Sequence, residues 1–70
     1  MPQQPITIAA TGLGCPLPAL QLAKAVRENG PGTYRLEADD PAAQTDIPAL
    51  CEERGWRLVD AGENWFLVRA

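Results

Sequence analysis

Seven residues, Gly12-Leu13-Gly14-Cys15-Pro16-Leu17-Pro18, constrain the fold of this chain more than any other stretch. Proline is tolerated in the first turn of a helix, where the N–H groups have no intrahelical partner. The residue before a proline is pushed towards extended geometry, as an N-cap requires. Cys15 therefore reads as the N-cap, with Pro16 as the first helical residue and Pro18 as the third. A sulfur over the positive end of a helix is favoured as thiolate, the reactive form. With the two proline donors deleted, the Leu17 N–H is the natural partner for that sulfur. A core cysteine is the common alternative, but it requires neither flanking glycines nor a helix start beneath it. Cys15 is thus the candidate functional residue.

The flanking pattern extends this start into a domain. Ile6-Thr7-Ile8-Ala9 alternates and is β-branched, which predicts a strand. A helix over 16–29 follows and stops at Gly30-Pro31-Gly32. Ala19, Leu22, Ala23 and Val26 give it a buried stripe, and Leu20 widens that stripe. A second strand is predicted over 33–38, closed by Asp39-Asp40-Pro41. The second helix is securest over 46–54, with Asp46 as its cap and Pro48 in its first turn. An earlier start near Ala42 stays open, since Pro48 would then interrupt the helix. Ile47, Leu50, Cys51 and Arg54 share a face, so Cys51 is expected to pack inward. Strands over 56–59 and 65–68, joined by Ala61-Gly62-Glu63-Asn64, form a hairpin.

The order β-α-β-α-β-β predicts an α/β (α+β) two-layer sandwich. A mixed four-stranded sheet carries both helices on one face. Residues 1–70 read as one domain with a loose start over 1–4. Cys15 then lies at the C-terminal end of the first strand, on the same side as Asp39-Asp40-Pro41.

Composition removes other chemistries. The chain has no histidine and two cysteines, so a Cys-His pair is impossible within it and a closed zinc site is not expected; no metal is expected. There is no phosphate loop and no dinucleotide fingerprint. A net charge of −3 with scattered basic residues disfavours stable nucleic-acid binding. No apolar run is long enough for a membrane span and no signal peptide is evident, so the expected location is the cytoplasm, where both cysteines stay reduced.

These residues resemble the TusA/SirA-like sulfurtransferases, a family of small sulfur carriers. The resemblance covers about 6–69 and rests on three motifs in register: Gly12-Leu13-Gly14-Cys15-Pro16-Leu17-Pro18, Asp39-Asp40-Pro41, and Asp46-Ile47-Pro48-Ala49-Leu50-Cys51. Lys24 falls where the family carries a basic helix residue. The family's two-layer fold has the element order derived above.

The resemblance implies that Cys15 carries a persulfide, with no cofactor beyond this covalent load. Gly12, Pro16, Leu17, Pro18 and Lys24 would support it, and Asp39, Asp40 and Pro41 are candidates for partner docking. Lys24 reads equally as part of a solvated helix face. The implied donor is a cysteine desulfurase or a rhodanese-like protein, and the acceptor a DsrE/TusD-like protein or another sulfurtransferase. The pathways implied are tRNA thiolation, molybdenum-cofactor metabolism or sulfur oxidation. The chain would be a monomeric carrier rather than a multi-turnover enzyme on small substrates; the alternative is a non-catalytic adaptor. Three positions depart from the family pattern: Ala9 in place of aspartate, Gly14 in place of a polar or basic residue, and Trp56 in place of histidine.

Overall fold

The computed structural model describes residues 4–70; of the expected loose start, 1–3 lie outside the described residues. The elements are β1 (Ile6–Ala9), α1 (Leu17–Asn29), β2 (Thr33–Glu37), α2 (Ala43–Arg54), β3 (Arg57–Ala61) and β4 (Trp65–Arg69). They form a four-stranded sheet in the order β1-β2-β4-β3. β1 runs parallel to β2, while β4 is antiparallel to both β2 and β3. The sheet is mixed, as the element order predicts.

Period-two alternation places Tyr34, Leu36, Phe66 and Val68 on one face, where all four are buried. Leu22 of α1 and Ile47 and Cys51 of α2 complete the core against them. The expected face of α1 is therefore buried at Leu22, with Ala19 and Val26 packed beside it. Leu20 does not widen this stripe: it is 57% exposed.

Element boundaries differ from the sequence reading at several ends: β2 closes at Glu37 rather than 38, and β3 and β4 run on to Ala61 and Arg69. α1 begins one residue later than expected, because Pro16 occupies the N-cap and its carbonyl accepts the first helical bond, from Leu20 N–H at 3.1 Å. α2 begins earlier than 46, at Ala43, so Asp46 is a residue of the helix and not its cap. The tight first turn is held by bonds from Ala43, Gln44 and Thr45 N–H to the carbonyls of Asp40, Pro41 and Ala42. Pro48 lies inside the helix and leaves the Gln44 carbonyl without its donor four residues on.

Trp56 belongs to the helix end rather than to β3. Gly55 adopts φ 73°, its N–H reaches the Glu52 carbonyl, and Trp56 N–H reaches the Cys51 carbonyl at 2.8 Å. This pair of reversed bonds is a Schellman closure, which places glycine in the left-handed conformation. In β3 the register slips between Leu58 and Asp60, leaving Val59 as a bulge.

Candidate functional site

The loop from β1 to α1 and the loop from β2 to α2 leave neighbouring parallel strands at the same end, so they meet. Leu13 N–H bonds the Ala10 carbonyl at 3.1 Å, closing a turn in which Gly12 takes φ 86°. A side chain at Gly12 would meet no steric block, so the backbone angle is what favours glycine there. Aspartates from the second loop tie the first one down. Asp39 Oδ1 accepts from Gly12 N–H at 2.9 Å, and Asp40 Oδ2 accepts from Cys15 N–H at 2.8 Å. The other oxygen of Asp40 accepts from Ala42 N–H at 2.9 Å, at the start of α2. Those two backbone donors hold the Asp40 carboxyl below its ordinary value, with the Ala42 bond the larger effect.

Cys15 is exposed and Cys51 is buried, and neither is in a disulfide. Cys15 lies one residue ahead of Pro16, the cap of α1, and that cap receives no side-chain capping bond; the Cys15–Pro16 peptide is cis. The expected sulfur–Leu17 contact is absent, since Leu17 N–H is engaged by the Gly14 carbonyl at 2.9 Å. Sγ instead donates to Asp46 Oδ2 at 2.7 Å. The expected direction of the thiol pKa is reversed in consequence. The Asp46 hydrogen bond is the main cause of a raised value, followed by desolvation and the negative charges of Asp46 and Asp40. In Cys51, burial alone pushes the thiol up.

The remaining predicted residues sort by position. Pro16 is exposed, Pro18 is buried at the start of α1, and Leu17 is 44% exposed beside Cys15. Lys24 is exposed on α1 and is not among the charges acting on the sulfur. Asp39, Asp40 and Pro41 line a hollow of about 380 Å³ with Gln44, Glu63 and Asn64. A side chain at Gly14 would begin 3.5 Å from Asp40 Oδ2. Glycine there leaves the acidic surroundings of Cys15 without a neighbouring cation. The residue missed as a site member is Asp46. Its place in the third motif was the available signal, but its reading as a helix cap directed the carboxylate to the backbone instead of the sulfur.

Fold and site together define a small two-layer α/β domain that presents one exposed cysteine at a loop–helix junction. Comparison with known proteins names the family. The family description "Sulfurtransferase TusA" matches residues 6–69, and the chain belongs to that family of sulfur carriers. It is 42% identical over 56 residues to the "Sulfur carrier protein TusA" of Pseudomonas aeruginosa, covering 79% of this chain and 71% of that one. The protein of the same description from Pseudomonas entomophila is 41% identical over 68 residues, covering 90% and 85%. A crystal structure of a SirA-like protein from Desulfitobacterium hafniense superposes with a TM-score of 0.69 at 25% identity, covering 91% of this chain and 92% of that chain. Among the described residues, no helix is long and apolar enough to cross a membrane.

Proposed function

We propose that Cys15 accepts sulfane sulfur from a donor protein, holds it as a persulfide and passes it to a cysteine of an acceptor protein. The donor is a cysteine desulfurase or a rhodanese-like protein; the acceptor is a DsrE/TusD-like protein or another sulfurtransferase. The observation that carries this reading is the contrast between the two thiols. Cys15 is exposed at a loop–helix junction, while Cys51 is 3% exposed in the core. Transfer needs a sulfur that another protein's cysteine can reach in line with the S–S bond, and Cys15 meets that need. Exposed Leu17 and Leu20 give a partner apolar surface near it, and Asp39, Asp40 and Pro41 border the other side.

The persulfide is the whole of the chemical load, so the carrier works as one small domain without a cofactor. It binds its partners transiently as a monomer and works in the reducing cytoplasm. The acidic composition supports protein partners over nucleic acid.

Intact-mass measurement after incubation with a cysteine desulfurase and cysteine, or with a rhodanese and thiosulfate, tests the reading. The expected result is a reductant-reversible gain of one sulfur atom that is lost in Cys15→Ser and kept in Cys51→Ser. A folded wild-type protein that alkylates at Cys15 yet gains no sulfur from either donor would overturn it and favour the adaptor.

A further inference from the structure

Exposure explains why Cys15 can be reached but gives no part to the carboxylate that faces its sulfur. Three aspartates hold the cysteine and its loop, and two of them are committed to the backbone. Asp39 holds Gly12 N–H, and Asp40 divides its oxygens between Cys15 N–H and Ala42 N–H. Asp46 differs from both. It projects from α2, and its Oδ2 accepts from Cys15 Sγ at 2.7 Å. The charged groups that act on Sγ are Asp46 from α2 and Asp40 from the loop after β2; Lys24 and Arg27, the cations of α1, are exposed and are not among them. A thiol held this way is kept protonated, so its proton needs a destination whenever the sulfur reacts.

We propose, resting on the carrier reading, that Asp46 is a catalytic residue that takes the Cys15 proton when sulfur is loaded and returns it when sulfur leaves. In loading, Sγ attacks the outer sulfur of the donor's persulfide and a new S–S bond forms. The donor's own S–S bond breaks, and its electron pair leaves on the donor cysteine as thiolate. The Sγ proton passes to Asp46 as the bond forms, because a sulfur gaining a second covalent partner becomes strongly acidic. Unloading is the reverse: an acceptor thiolate attacks the outer sulfur, and Sγ departs with the electron pair and the Asp46 proton. No oxidant or reductant is consumed in either direction. The proton supplied to the departing Sγ matters because a thiolate of high pKa is a poor leaving group.

Two readouts on Asp46→Asn separate this role from simple restraint of the thiol. One is the pH profile of Cys15 alkylation by iodoacetamide, with the site read by peptide mass. The other is the rate of sulfur uptake from glutathione persulfide. The expected result is a split: alkylation at neutral pH becomes faster, while sulfur uptake slows by about tenfold or more. Asp46→Glu should recover part of the uptake. Asp46→Ala, which removes the carboxylate with a strong helix former, should reproduce the split and covers the case of an unstable Asn variant. Faster alkylation together with equal or faster uptake would reduce Asp46 to a brake on the thiol and overturn the proposal. Two unchanged rates would overturn it as well. A wild-type protein that takes up no sulfur at all would instead sink the carrier reading beneath it.

Discussion

Asp40 shows how one side chain can serve both a loop and a helix. Its two oxygens accept N–H groups from Cys15 and Ala42, so it joins the cysteine loop to the first turn of α2. The folded carboxyl titrates below its ordinary value. Its contribution to stability is therefore complete above the ordinary carboxylate range and is lost as pH falls through the lowered folded value. Asp40→Ala is expected to melt at a lower temperature than wild type at neutral pH. That gap should close in strong acid, where both proteins carry no charge at this position. Thermal unfolding followed by circular dichroism across acid pH checks it. Cys15 was legible as the candidate functional thiol because glycines and prolines mark its surroundings in sequence. The sign of its pKa shift was not, since the local pattern points to a helix end and the carboxylate that prevails lies 31 residues further on.

At the scale of elements, most of the secondary structure is written in local pattern, and the differences fall at the ends. The glycine stop after α2 is an example where local chemistry suffices. Gly55 has φ 73° and open space where a Cβ would stand, so replacing it tests the backbone conformation alone. Gly55→Ala is expected to cost about 1 kcal/mol, the penalty for a left-handed L-residue, measured by denaturant unfolding with an unchanged slope. The start of α2 was harder to read. Pro48 argued locally for a beginning near Asp46, whereas the first turn at Ala43 is held by the Asp40 side chain and by short-span bonds. Trp56 was assigned to a strand by composition, yet its N–H closes the helix. A tryptophan fits either setting, and a boundary residue follows the backbone bonds that neighbouring elements leave open.

For the molecule as a whole, a 70-residue chain has one core and little reserve. Phe66 and Tyr34 are the largest fully buried side chains, and Phe66 sits on β4 between β2 and β3. Phe66→Ala is expected to cost about 3–5 kcal/mol, comparable with the roughly 5 kcal/mol that a small domain has in total. The cooperative thermal transition should weaken severely or vanish in far-UV circular dichroism; a variant that melts within a few degrees of wild type would contradict this account of the core. The element order, the mixed sheet with its helices and the exposed cysteine all follow from periodicity, turn residues and glycine helix stops, which act over a few neighbouring positions. The chemical setting of that cysteine arises differently. Packing α2 beside the β1–α1 loop brings Asp46 to within 2.7 Å of Sγ. A Coulomb interaction depends on distance through space, so the fold, and not the local run of residues, makes Cys15 a protonated thiol facing a carboxylate.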